Sequence, residues 1–258
     1  MATKEMNRMS GNAGQIQAVK RLFSIIDALE ALDGAGITAL SERTGIPNST
    51  VHRYLSELLN NGYVVKKGQK YHLSLRFLQL GEYVRNREFV SDIIKPKVRQ
   101  IAVQTGEHAT FAVNEDGAGV VVYTESGNNA VKTGIRVGQR IPLHCFAAGK
   151  AILAHLPEED VERIVDERGL PSYTENTITD WEELMEELDE IREQKYALDA
   201  GEYVDGLLSV AAPVHGPDEQ ILGALGVAGP AHRMQKDWIP DFMVGTANEV
   251  KLNVKYSE

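Results

Sequence analysis

The chain of 258 residues contains a single cysteine, Cys145. One thiol excludes an internal disulfide and any zinc site built from four thiolates, and it fits a reducing compartment. Long apolar runs are also missing: none approaches the ~18 consecutive residues that a membrane span requires. The opening residues Met1, Ala2, Thr3, Lys4 and Glu5 lack the apolar stretch of a signal peptide, so a cytoplasmic location without membrane attachment is expected. With 43% hydrophobic and 25% charged residues, the composition excludes collagen-like, mucin-like and wholly disordered chains. The length suits two domains better than one.

Positive charge is scarce overall, with 27 Lys and Arg against 37 Asp and Glu, yet it is not scarce everywhere. Residues 1–88 carry 12 basic and 8 acidic side chains, a net of +4, whereas residues 89–258 carry 15 and 29, a net of −14. Only the first third can attract phosphates, because a basic footprint acts within about a Debye length.

Within that third, Val19, Leu22, Ile25, Ile26 and Leu29 recur at helical spacing and predict a first helix over residues 15–30. Gly34, Ala35 and Gly36 break the pattern. Thr38 is suited to cap a short second helix ending near Thr44, and Gly45 to make the left-handed turn after it. Pro47 and Asn48 open a third helix that buries Val51, Leu55, Leu58 and Leu59 and turns Ser49, Arg53 and Ser56 outward. A short helix, a glycine turn and a helix with an unencumbered polar start form a helix-turn-helix, whose second helix lies in the DNA major groove.

The side chains fit that role. Arg53 suits guanine and Asn48 adenine; Ser49 and Thr50 sit where phosphate oxygens are favoured, and His52 can reach either kind of group. The same residues also allow a plainer arrangement, in which Ser49 and Thr50 cap the helix and Arg53 pairs with Glu57. The hairpin predicted from Gly62 to Leu73 turns at Gly68 and carries Lys66, Lys67 and Lys70, which makes it a wing placed to neutralise backbone phosphates. The segment from Leu75 to Arg87 reads as a stiff helical connector.

Beyond residue 90 the pattern predicts an α+β domain of antiparallel strands covered by helices. Helices are expected over 90–103, 146–155 and 157–169, and another from a capping box of Thr179 and Glu182. Strands are expected over 108–113, 120–124, 131–137, 207–214 and 221–227, with a closing helix through Met243, Ala247, Val250 and Val254. Glu182, Glu183, Glu186, Glu187, Glu190 and Glu193 read as a solvated helix face.

Enzyme signatures fail in this half. Gly149 and Lys150 match the end of a P-loop, but Ala151 stands where Ser or Thr must hold magnesium and His144 where the first glycine belongs. His144 beside Cys145 leaves open an activated thiol or half a metal site, against a buried thiol beside a hydrogen-bonded histidine. No cofactor or metal is expected. Ala147, Ala148 and Gly149 open a helix where free backbone N–H groups can receive a ligand, or simply permit close packing.

Several segments in a fixed order carry a resemblance: Gln17, Ala18, Val19 and Arg21; GIPNSTVHRYLSELLNNGYV at 45–64; YHLSLRFLQLG at 71–81; GQRIPLHCFAAGKAILAHLP at 138–157; KYALDAGEYVDGLLSVAAPV at 195–214; and ILGALGVAGPAHR at 221–233. Together they resemble the IclR-type transcriptional regulators over nearly the whole chain. The resemblance implies a winged helix-turn-helix over residues 14–74, a linker helix over 75–89 and a GAF-like α+β effector-binding domain over 90–258, behind a disordered tail over 1–13. It implies Ser49, Thr50, His52 and Arg53 at the DNA, and an effector pocket lined by Leu143, Ala147, Ala148, Asp199 and Ser209. It also implies a homodimer, often paired into tetramers, on a palindromic promoter site of double-stranded DNA. Gly226 and Ala228 stand where family members commonly carry serines, which removes two donors to a small carboxylate and leaves open a larger or less polar effector, or a constitutive DNA-binding protein with no effector.

Overall fold

The computed structural model describes residues 17–88 and 91–256, so the tail expected over 1–13 lies outside the described residues. The chain divides into two compact units between Arg87 and Glu88.

The first unit holds α1 (Gln17–Ala31), α2 (Ile37–Thr44), α3 (Asn48–Asn60), a hairpin of β1 (Val64–Lys67) and β2 (Lys70–Leu73), and α4 (Arg76–Glu88). Its core is the expected apolar stripe of each helix: Ile25 and Leu29, Leu40, then Val51, Leu55 and Leu58, closed by Val64 and Tyr71 from the hairpin. Val19, expected on the stripe of α1, is instead exposed. Ala35 pairs with Tyr71 through two backbone bonds of 3.0 and 2.9 Å, an isolated bridge that ties the segment before α2 to the wing. That pairing fixes where α2 starts: Gly36 is its N-cap without a side-chain bond, and Thr38, expected as the cap, is already inside the helix.

The second unit is built on a six-stranded antiparallel sheet in the order β5-β4-β3-β8-β7-β6. Its strands are β3 (His108–Glu115), β4 (Ala118–Ser126), β5 (Arg140–Pro142), β6 (Ala197–Ala200), β7 (Leu207–His215) and β8 (Ile221–Pro230). One face is covered by α6 (Ala147–Leu153), α7 (Glu158–Arg168) and α8 (Trp181–Gln194), the other by α5 (Ser91–Thr105), α9 (Ala231–Met234) and α10 (Trp238–Lys255). Alternating side chains feed the two cores, with Phe111 on one side of β3 and Ala112 on the other. The result is the α+β domain expected from the sequence, with a GAF-like arrangement of sheet and helices.

Three local expectations change. Residues 131–136 form no strand: Gly134 and Gly138 take φ of 76° and 82°, and the edge of β4 is filled by Arg140–Pro142 instead. The cap of α8 is Asp180, whose carboxylate accepts from Glu183 N at 3.1 Å, one residue later than Thr179. Phe146 lies outside α6 as its extended N-cap, with φ of −146°. The short edge strands β5 and β6 carry too few residues to show a period.

Candidate nucleic-acid interface and effector cavity

The turn between α2 and α3 is built by its own side chains. Gly45 adopts φ of 69° and donates to Ser41 O, Ser41 Oγ donates to Ile46 O at 2.6 Å, and Thr44 Oγ1 donates to Leu40 O at 2.6 Å. These bonds set the angle at which α3 leaves the core. At its first turn Thr50 N and Val51 N reach Pro47 O, while the N–H groups of Asn48 and Ser49 have no intrahelical acceptor.

Asn48, Ser49, His52 and Arg53 are exposed and Thr50 is half-buried, and Ser49 and Arg53 share the side of α3 opposite Val51, Leu55 and Leu58. Neither element of the plainer arrangement forms: Pro47 is the N-cap and no side chain caps the helix, and among the described residues no ion pair joins Arg53 to Glu57. The polar start of the helix is therefore available to a partner.

In the wing, Lys67 faces Lys70 across the two strands and Lys66 faces Tyr71. Residues directly opposite share a face, so Lys67 and Lys70 form one pair at the tip. Lys66 lies on the other face, 5.4 Å from the centre of the Tyr71 ring. The base of the wing is held by Ser74 Oγ donating to Gly62 O at 2.5 Å and by Arg76, which donates to Asn61 O at 2.7 Å and stacks 4.5 Å from the Tyr63 ring.

In the second unit, the start of α6 and the middle of the sheet enclose a cavity of about 40 Å³. Of the residues expected there, Ala147, Ala148, Asp199 and Ser209 line it, together with Gly226 and Ala228. Leu143 and Gly149 lie outside the cavity. Gly149 packs against Leu143 instead, since a Cβ there would lie 2.2 Å from Leu143 O, so this glycine serves close packing rather than the cavity.

The sheet register sets the polar lining on both sides of β8. Asp199 pairs with Ser209, Ser209 with Ala228, and Gly226 with Thr110. Asp199 Oδ2 accepts from Ser209 Oγ at 2.9 Å and Oδ1 from Glu202 N at 2.7 Å; burial raises its carboxyl above the ordinary range against these bonds. A Cβ on Gly226 would lie 3.0 Å from Thr110 Oγ1, so the threonine hydroxyl partly fills the space a side chain at 226 would take.

Beside the cavity lies a buried charge cluster with no counterpart in the sequence-based expectations. Lys150 on α6, only 1% exposed, donates to Glu202 Oε1 at 2.6 Å and to Glu187 Oε1 at 2.7 Å. Glu187 is thus an ion-pair partner rather than part of a solvated face. Burial pushes the Glu202 carboxyl up to about 7 against the pull of Lys150, and its Oε2 has no hydrogen-bond partner among the described residues.

The profile described as the IclR helix-turn-helix domain matches residues 18–68, and that of the bacterial transcriptional regulator IclR C-terminal domain matches residues 82–248. The chain belongs to the IclR family.

Similar IclR-family proteins span its length. The transcriptional repressor IclR of Escherichia coli K12 is 27% identical over 93% of this chain and 90% of its own. A probable HTH-type transcriptional regulator, ArcR, of Halobacterium salinarum is 28% identical over 95% and 97%. The crystal structure of the Thermotoga maritima IclR superposes with a TM-score of 0.81 at 24% identity, covering 94% of this chain and 100% of that one. An IclR homologue from Microbacterium hydrocarbonoxydans, solved with 4-hydroxybenzoate, gives 0.75 at 21% identity over 93% and 98%. As a member of this family the protein is a transcriptional regulator with a DNA-binding helix-turn-helix.

His144 and Cys145 do not form an activated pair. Cys145 Sγ is fully buried and donates to Pro142 O at 3.2 Å, and burial, reinforced by Asp199 and Glu202, pushes the thiol up to about 12. His144 Nε2 instead meets Pro171 O at 3.1 Å. The thiolate needed for nucleophilic attack is suppressed at neutral pH.

Among the cavity residues, Thr110, Ile135, Tyr203 and Leu207 were not expected. Thr110 has a legible signal, a lone polar residue between Ala109 and Phe111, but which strand lies beside it is a property of the sheet alone.

Proposed function

We propose that this IclR-family regulator binds a palindromic promoter operator as a homodimer and that a small molecule in the C-terminal cavity alters its hold on DNA. In this reading Asn48, Ser49, Thr50, His52 and Arg53 enter the major groove, with Arg53 bidentate to guanine, while Lys66, Lys67 and Lys70 hold backbone phosphates. The observation that carries it is the exposed start of α3, where no side chain caps the helix and where, among the described residues, Arg53 makes no ion pair.

Self-association is supported by apolar side chains left in water on α1 and along α4 and its approach: Phe23 at 57% exposure, Leu75 at 81%, Leu78 at 59% and Tyr83 at 63%. A two-fold dimer presents two recognition helices and so requires two inverted half-sites.

The cavity holds about three water-sized spheres at roughly 10–15 Å³ each. Ala147, Ala148, Gly226 and Ala228 make it apolar, with Asp199 and Ser209 on the β6 and β7 side and Thr110 across β8 from them. It suits a small, largely apolar molecule that carries a polar group, and a homologue of the same fold is known with 4-hydroxybenzoate. Such a molecule regulates only by favouring one geometry of the dimer over another; equal affinity for both changes nothing. The protein acts in the cytoplasm.

The test is a titration of the purified protein against its own upstream duplex and a scrambled duplex at two salt concentrations. Selective binding that weakens with salt is expected, and Arg53→Ala should cost about 1–3 kcal/mol and relax specificity at one position. Unchanged affinity and specificity in that variant would remove Arg53 from the base-reading set.

A further inference from the structure

The second unit is strongly acidic, yet one of its clefts is not. Between β7, the C-terminal end of α8 and α10 lies an open cleft of about 380 Å³, far roomier than the cavity beside α6. Its lining is largely polar, with apolar side chains contributed by Ala212, Pro213, Val244 and Ala247. Its walls carry Arg192, Lys195 and Lys251 with His155 and His215, against a single carboxylate, Glu219. Charge of this sign, gathered on a background of −14, is a focused field rather than a share of a mixed surface.

The cations are only partly committed. Arg192 spends Nε on Ala154 O at 2.6 Å and Nη1 on Asp189, which leaves Nη2. Lys195 sits in the left-handed C-cap of α8 with φ of 68° and makes no ion pair among the described residues. Lys251 is held by both oxygens of Glu219, at 2.6 and 2.7 Å. The two imidazoles meet edge to face at 4.8 Å, with His155 Nδ1 donating to Ala151 O at 2.9 Å. Burial first, then the neighbouring positive groups, holds both rings below the ordinary histidine value, so the positive charge of the cleft grows as pH falls.

We propose that this cleft is a second ligand site, for a small organic oxyanion whose apolar part lies against Val244. Its volume lies in the range of small-molecule sites, and nothing in the DNA-reading or cavity assignments uses it. The chemistry is shared by carboxylates and phosphate esters, and the two are separated by the probe.

The experiment is calorimetric titration of the full chain at pH 7 with benzoate and with phenyl phosphate, using benzyl alcohol as the uncharged control. One or both anions should bind and the alcohol should not. Lys195→Gln and Lys251→Gln should each weaken binding roughly tenfold, the effect of one unit charge at close range in a half-exposed site. Glu219→Gln, at an exposed position, should strengthen it. Affinities that are the same in the wild type and all three variants would put the anion in the cavity beside α6 and overturn the proposal. Binding of benzyl alcohol as tight as of the anions, or no binding tighter than roughly 10 mM, would overturn it too.

Discussion

Replacing Glu202 by Gln should stabilise the C-terminal unit above neutral pH, although it breaks a buried ion pair. Lys150 is shared by two carboxylates, Glu202 at 2.6 Å and Glu187 at 2.7 Å, and Asp199 adds a third negative group nearby. One ammonium cannot compensate all of them, and burial pushes the Glu202 carboxyl from 4.5 up to about 7. Between those values the folded chain keeps a proton there that the unfolded chain has released. The favourable contribution is therefore fully present below about 4.5 and is lost as pH rises through about 7. At about 1.4 kcal/mol per pH unit, the loss amounts to about 3 kcal/mol. Glutamine imitates the protonated acid and leaves Lys150 its bond to Glu187. The variant should match the wild type near pH 4 and exceed it by about 3 kcal/mol at pH 8. Urea unfolding followed by tryptophan fluorescence reads this directly, because Trp181 and Trp238 both lie in the second unit. The wild-type-minus-variant difference isolates Glu202 from the histidines that also titrate. A variant several kcal/mol less stable than the wild type at pH 8, the ordinary outcome of orphaning a buried cation, would refute the reasoning.

Lys67→Ala and Lys70→Ala should each reduce the slope of log affinity against log salt by about 1, equally on operator and scrambled DNA; a loss confined to the operator would mean base reading by the wing. Gly34 adopts φ of +87°, and a Cβ there would lie 2.1 Å from His72 Nδ1. Gly34→Ala should loosen the wing at a cost of about 1–3 kcal/mol, read as faster hydrogen exchange at the Tyr71 amide that donates to Ala35 O. Unchanged protection there would show that the turn tolerates a side chain. Cys145 should resist alkylation at pH 8 in the native chain and react on unfolding, since it is buried with its thiol pushed up to about 12. Labelling of the native protein as fast as of a free thiol would reopen a chemical role for it.

The helices were legible where one face is buried and the other wet: Val51, Leu55 and Leu58 mark α3 because each falls on the same side at a period of 3.6. Thr38 and Thr179 were reasonable caps by residue type, yet Gly36 and Asp180 hold those places. A cap is decided by where the preceding chain is pinned, here by the pairing of Ala35 with Tyr71. The segment 131–137 has strand-like residues but no neighbour to pair with, and a strand exists only in a ladder.

By itself, the sequence determined the basic winged head, the acidic α+β partner and the outward residues of α3, because charge balance and apolar period are properties of neighbours along the chain. Only the tertiary structure decided which residues meet across distance. It put Thr110 beside Gly226, left Leu143 and Gly149 in the packing of α6, and drew Glu187 and Glu202 onto one buried lysine. Those contacts join positions tens of residues apart, and they depend on strand order and register, which no local pattern encodes.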